Sequence, residues 1–298
     1  MPHNSFPRAR TIIIILLSSL FLLSCCPFQR EQGGTGAGES IVNKGSDTLV
    51  NLALAWAEAY KDVRPDVSIG VTGGGSGTGI AALINGTTNI ANASRKIKQE
   101  EVDEAESNGI TPVEITVAQD AIAVIVHLDN PVDNLTIDQI SDIYSGKINN
   151  WSEVGGEDRP IVRLSRETNS GTHVFFLETV IRKGDKNDTT AFSADTLLLP
   201  SSEIITAEIR ANPNAIGYDG LGYVTEDVKM IGIGVNPEGP FVIPSTQAVI
   251  NDEYPIARRL FMYTAGEPQD EVLNYVNWIL GPEGQSIVPQ LGFVPLED

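Results

Sequence analysis

Cysteine is almost absent from this chain. Of its 298 residues only Cys25 and Cys26 are cysteines, side by side near the N-terminus. Everything after them folds without a disulfide and without a thiolate metal site, so packing alone must hold it. Histidine is nearly as scarce, with His3, His127 and His173 as the three examples. No H-E-x-x-H or similar ligand spacing occurs, which argues against a metal centre. Positive charge is short too: 20 Lys and Arg stand against 39 Asp and Glu, for a net charge of −19. Such a surface repels nucleic acid and anionic lipid. Long apolar runs are also missing. The one candidate is Ile12 to Leu23, interrupted by Ser18 and Ser19. As a helix it would span about 18 Å, too short for a bilayer core of about 30 Å.

That short run has a different meaning. His3, Arg8 and Arg10 give it a basic start, so residues 1–24 read as a secretory signal peptide. The run ends Leu22-Leu23-Ser24-Cys25, which resembles a bacterial lipobox with Cys25 as the lipidated residue. Cys26 fits worse, because a cysteine would then precede the cut. A signal anchor and ordinary cleavage are the alternatives. Two or three acyl chains would give stable anchoring where one would not. The expected location is extracytoplasmic, tethered to the membrane at Cys25. Residues 25–39, with the stretch GGTGAGES, form a flexible tether. Loss of Arg8 and Arg10 with the leader takes the net charge from −19 to −21.

The remainder has the composition of a packed protein, with 41% hydrophobic and 20% charged residues. Strand-like runs at 67–72, 113–117, 121–126, 161–164, 216–218, 228–233 and 260–263 alternate with amphipathic helical patterns. Leu49, Leu52, Ala53, Trp56 and Tyr60 form one helical face, and Val272, Tyr275, Val276 and Ile279 another. The alternation predicts an α/β fold. No repeat of fixed period is present. No long linker divides residues 41–298, so two lobes would require the chain to cross between them within ordered strands.

Three segments share one design, in which Gly or a small hydroxyl residue precedes an amphipathic helix. They are Gly45-Ser46-Asp47-Thr48, then Gly73 to Gly79 (GGGSGTG), then Arg166 to Thr172 (RETNSGT). A helix start exposes unpaired N–H groups and about half a positive charge. Glycine lets an anion approach the backbone, and Ser or Thr adds a hydroxyl donor. Each segment alone is most simply a helix cap or a turn. Converging, the three could replace the water shell of a small tetrahedral oxyanion, with Arg166 making a bidentate contact. Enzyme motifs fail on spacing. GGGSGTG is followed by no lysine, as a P-loop needs, and Thr78 stands where G-x-S-x-G needs glycine. A Ser–His pair would have to use His127 or His173, and His173 is expected exposed in a first helical turn.

GSDTL, GGGSGTGI, NASR (Asn92–Arg95) and SRETNSGTHVFF together resemble the phosphate-binding proteins of high-affinity phosphate ABC transporters. Leu135–Gly156 and Ala215–Val224 add to the likeness, which covers nearly all of residues 41–298. It implies an α/β fold of the two-lobed type II periplasmic-binding class, with a hinge and an interlobe cleft. Residues 40–118 and 256–298 would form lobe I, and 119–255 lobe II. The implied ligand is inorganic phosphate. The implied partners are the permease subunits of an ABC transporter, with no cofactor, no nucleic acid and no enzymatic activity, and the expected state is a monomer. Residue for residue, Thr48 would supply a hydroxyl, Leu49 a backbone N–H and Ser76 both. Arg166 would be the cation, with Ser170, Gly171 and Thr172 donating from lobe II, and Ser94 and Arg95 in the same site.

One departure matters. Where well-known members place an Asp that accepts the proton of bound phosphate, this chain has Arg95, which cannot accept one. The acceptor would then be Asp47 or Asp120. Their bland alternatives are a helix cap for Asp47 and a pairing elsewhere for Asp120. Competing functions are a carrier or sensor for another oxyanion, such as sulfate or molybdate, and a secreted phosphatase. A proton acceptor separates phosphate from sulfate, and the lack of a nucleophile–base pair weighs against the phosphatase.

Overall fold

The computed structural model describes residues 39–296. The signal peptide, Cys25 and the tether up to residue 38 lie outside the described residues. Eleven strands are formed: β1 Ser40–Gly45, β2 Ser68–Thr72, β3 Ile90–Ala93, β4 Pro112–Val126, β5 Asn134–Thr136, β6 Val162–Arg166, β7 Leu197–Leu199, β8 Ala215–Gly220, β9 Lys229–Met230, β10 Gly232–Gly234 and β11 Ala257–Ala265. Eight of them run in the order β2-β1-β3-β11-β4-β8-β6-β7, with β9 also on β4, and β10 and β5 form a separate pair.

β4 is the key element, because it changes partner along its length. From Pro112 to Ala121 it pairs antiparallel with β11, and from Ile122 to Val126 with β8. One end of the strand thus belongs to a half built on β1, β2, β3 and β11. The other end belongs to a half built on β6, β7 and β8. The run Ala121–Val126 is fully buried, as expected for a strand covered on both faces. The sequence patterns at 113–117 and 121–126 are one strand, since Ala118–Asp120 stay extended between them. The pattern at 228–233 is two strands, because β9 pairs with β4 while β10 pairs with β5. Strands β1 (SIVNKG) and β3 (IANA) escaped the pattern because each is short and carries a buried Asn in place of an apolar residue, Asn43 and Asn92.

Each half has its own apolar core. Leu52, Trp56 and Tyr60, on one face of helix Val50–Val63, pack with Leu260, Met262 and Tyr275. Fully burying one such Leu is worth about 1.5–3 kcal/mol. Trp56 also donates its indole N–H to Gly284 O at 2.8 Å, which ties the C-terminal helices to this half. In the other half Ile122, Val124, Ile140, Trp151, Phe176 and Tyr218 form the centre. The Phe176 and Tyr218 rings stack there at 3.6 Å between centroids. Among the described residues no helix is long and apolar enough to cross a membrane.

Candidate ligand-binding cleft

Strands β1, β2 and β3 are parallel, so their C-terminal ends share one edge. At that edge lie Thr48, after β1; Ser76, after β2; and Ser94, directly after β3. In the other half β6 ends at Arg166, and helix Gly171–Phe176 follows. Ser170 caps that helix, its Oγ accepting from Thr172 N at 3.2 Å. Crevices outside the carboxyl ends of strands are where open α/β sheets bind ligands.

The two edges meet. Thr48 Oγ1 lies 2.9 Å from Thr172 Oγ1, across the halves. Ser76 Oγ lies 3.3 Å from Ser94 Oγ and accepts from Ser94 N at 3.0 Å. Gly171 sits directly over this serine pair: a Cβ at that position would fall on Ser76 Oγ and Ser94 Oγ. Around them Asn169 O accepts from Gly77 N at 3.0 Å, and Asn169 Nδ2 donates to Gly74 O at 2.9 Å. Gly75 has φ +95°, and a Cβ there would stand 2.8 Å from Asn169 O, so the loop needs glycine on both counts. All four hydroxyl residues are buried. The cleft is closed, and four hydroxyl groups from two halves line it.

The charged residues divide differently from the sequence expectation. Arg166 is buried, with Nη1 donating to Ser202 Oγ and Nη2 to Pro200 O, each at 2.8 Å. Nη2 also lies 3.0 Å from Asp47 Oδ2. Its Nε is buried with no partner. Arg95 is buried beside the Gly-rich loop, its Nε without a partner. Its two terminal nitrogens bind Glu101 at 2.7 and 2.6 Å, because Glu101 lies in the first turn of the helix that follows. Leu49 is buried, but its N–H already donates to Ser46 O at 3.1 Å. Asp47 is not a helix cap: Oδ2 crosses to the other half, accepting from Ser202 N at 3.1 Å beside Arg166. Asp120 is fully buried and pairs with Arg258, which donates to Oδ2 at 2.8 and 3.1 Å. Burial pushes the Asp120 carboxyl up, against the lowering pull of Arg258.

Three participants were missed in the sequence. Arg258 is the most important, and strand alternation could have found it. The predicted strand began at Leu260, and extending it by two residues puts Arg258 on the same inward face. Ser202 and Asp219 stand behind Arg166. Asp219 Oδ1 accepts from Ser202 Oγ and from Gly220 N, each at 2.8 Å. Burial pushes this carboxyl up to about 6, against the opposing charge of Arg166. No local signal marked Asp219, since it becomes special only through that long-range cation.

His173 corrects another expectation. It is buried, not exposed, stacked on Phe192 at 4.5 Å, with Nδ1 3.0 Å from Ser165 Oγ. Ser165 itself is fully buried and also bonded to Tyr218 OH at 2.6 Å, so no substrate can reach this Ser–His pair. Burial lowers the His173 pKa further. A surface cavity of about 450 Å³ beside Glu178 and Arg182 shares no residue with the cleft.

Residues 30–283 match the PBP superfamily domain. The phosphate-binding protein PstS of Pseudomonas aeruginosa is 32% identical over 282 residues, covering 89% of this chain and 85% of that protein. PstS of Bacillus subtilis is 30% identical, covering 98% and 96%. Among solved structures, one from Clostridium perfringens with bound phosphate, described as a phosphate ABC transporter substrate-binding protein, is 34% identical. It superimposes with a TM-score of 0.78, over 87% of this chain and all of that one. An ABC-type phosphate transport receptor from Vibrio cholerae gives 25% identity and a TM-score of 0.69, with the same coverage. A sheet in two halves about a shared strand, a closed cleft of hydroxyls between them and this set of relatives agree: the chain belongs to the PBP superfamily and, within it, to the family of PstS phosphate-binding proteins.

Proposed function

We propose that this protein binds inorganic phosphate between its two lobes and hands it to the permease subunits of an ABC transporter. The observation that carries the proposal is the meeting of Thr48, Ser76, Ser94 and Thr172, four buried hydroxyls contributed by both halves of the sheet. Hydroxyl and helix-start donors with buried arginines nearby suit a small oxyanion, and they operate despite a net charge of −21 after processing, the −19 of the full chain less Arg8 and Arg10. Ser170 and Gly171 complete the helix start on the second side, and Arg166 offers its unpartnered Nε. The partner change in β4 supports lobe boundaries near residues 118/119 and 255/256, with β4 and the start of β11 as the hinge strands. The protein works as a monomer, held outside the cell membrane by lipid on Cys25.

Selectivity for phosphate needs an acceptor for its proton. Arg95, whose terminal nitrogens bind Glu101, cannot accept a proton. Of the two candidate carboxylates, Asp120 fits better. It is the fully buried one, it is more basic than usual, and its Arg258 partner touches Thr48 and Thr172. Asp47 instead spans Arg166 and Ser202. Sulfate would leave the acceptor facing an unpaired oxygen, and mismatches of this kind can reach about 10⁴-fold. Calorimetry of the mature protein against phosphate, arsenate and sulfate tests the assignment. Tight binding of phosphate and arsenate with weak sulfate binding is expected, and equal affinity for sulfate would overturn it.

A further inference from the structure

Arg258 occupies the place where the two halves of the sheet join. It is the second residue of β11, opposite Asp120 of β4, beside the point where β4 changes partner. Its side chain is 2% exposed and reaches both halves. Nη1 donates to Ser94 O at 3.0 Å, and Nη2 to Thr48 Oγ1 at 3.3 Å, all in the first half. The same Nη2 donates to Thr172 Oγ1 at 3.1 Å in the second half. The guanidinium lies 5.5 Å over the Phe175 ring, also of the second half.

Proton counting shows that the hydroxyls of this arrangement are short of acceptors. The hydroxyls of Thr48, Ser76, Ser94 and Thr172 carry one proton each. The Thr48–Thr172 and Ser76–Ser94 bonds use one proton apiece, and Ser76 Oγ and both threonine oxygens also receive N–H donors. The remaining hydroxyl proton of each pair has no acceptor among the described residues. Arg258 Nη2, with two hydrogens, is shared among three oxygens. A buried ion pair is not needed for stability, since apolar residues of like volume would serve as well. Donors that converge without acceptors call for an anion.

We propose that Arg258 is a ligand-contacting cation of the cleft, additional to Arg166, and that Asp120 positions it. Nη2 gives up a threonine oxygen and donates to an oxygen of the bound anion, which also accepts the two spare hydroxyl protons. Because the same group touches both halves at the hinge, binding of the anion and closure of the cleft draw on one side chain. This rests on the phosphate assignment above, and the test separates the two.

Inorganic phosphate is titrated calorimetrically into the wild-type protein, Arg258→Lys, the double variant Arg258→Gln/Asp120→Asn, and Arg259→Gln, whose arginine is exposed. Thermal unfolding of each variant checks its fold. The double variant replaces the buried ion pair by a neutral, hydrogen-bonded pair of similar size. Loss of a charged hydrogen bond predicts at least about tenfold weaker binding for Arg258→Lys and the double variant, with Arg259→Gln unchanged. Arg258→Lys keeps the charge, so its loss would report the planar fork and not net charge. Crystals of the wild type with phosphate give a second measurement that needs no variant. Nη2 is expected within about 3 Å of a phosphate oxygen. A folded double variant that binds as the wild type does, or a bound phosphate with every oxygen beyond reach of Arg258, overturns the proposal while leaving the phosphate assignment standing. A wild type that does not bind phosphate overturns both.

Discussion

Thr48 and Thr172, 124 residues apart, hold their hydroxyl oxygens 2.9 Å from one another, and one nitrogen of Arg258 donates to both. Beyond these bonds neither hydroxyl has a side-chain partner among the described residues. Thr172→Val keeps the shape and removes the hydroxyl. It is expected to weaken phosphate binding by about 1–3 kcal/mol, or roughly fivefold to 150-fold. Thr48→Val should do the same, and the double substitution should cost less than the sum, because the two act as a pair. Calorimetry of the three variants checks this, and strictly additive effects would mean that the threonines act separately.

Gly171→Ala tests closure. The added methyl would fall on Ser76 Oγ and Ser94 Oγ, but only when the halves are together. Stability should therefore change little while phosphate affinity drops more than about tenfold. Small-angle scattering with saturating phosphate should show the variant less compact than the wild type. Equal compaction would remove Gly171 from the contact.

Arg166→Ala removes the cation facing Asp47 and standing beside Asp219. Breaking a buried pair by deleting one partner typically costs about 2–5 kcal/mol. The loss should appear in phosphate affinity and also in thermal stability, since Asp219 stays buried without its counter-charge. An unchanged dissociation constant would exclude Arg166 from the site.

Asp219 makes stability depend on pH. Burial raises its carboxyl from 3.8 to about 6 in the folded protein. A carboxyl raised on folding favours the folded state most where it is protonated in both states, below about pH 4. That advantage is lost as pH rises from 3.8 through about 6. A shift of this size corresponds to at most about 3 kcal/mol. Asp219→Asn cannot ionise, so its stability relative to wild type should rise between pH 4 and pH 6 and level off above. Chemical denaturation across that range reads the difference directly. Parallel pH profiles for the two proteins would mean that folding leaves the Asp219 carboxyl unshifted.

Processing at Cys25 is testable without any structure of the leader. Mass spectrometry of membrane-extracted protein should find residue 25 as the N-terminus, carrying a lipid adduct. An uncut chain, or a free N-terminus elsewhere, would refute the lipobox assignment.

Much of the fold was legible because its signals are local. Leu52, Trp56 and Tyr60 repeat at helical spacing, and all three are buried on one face. The six apolar residues from Ala121 to Val126 read as a strand and are one. The site was legible in part. Ser76 and Thr172 announce themselves through the glycine and hydroxyl residues that precede or open a helix, and both end up in the cleft. What could not be read was whether Ala118–Asp120 lay within a continuous strand, since the pattern alone left a gap there. Once that strand is continuous, Asp120 faces Arg258 across the β4–β11 pairing.

The sequence by itself determined where the helix starts and hydroxyl donors are, because caps and turns depend on residues within a few positions. It also fixed the acidic balance, which composition alone sets. Tertiary structure alone decided which charged side chains stand against the cleft's hydroxyls. Arg95 is next to Ser94 in the chain yet is taken by Glu101, six residues away. Arg258 is 164 residues from Ser94 yet donates to its carbonyl. The reason is physical: a long cation goes to whichever acceptor the fold brings within about 3 Å, a following helix start for Arg95 and a paired strand's end for Arg258.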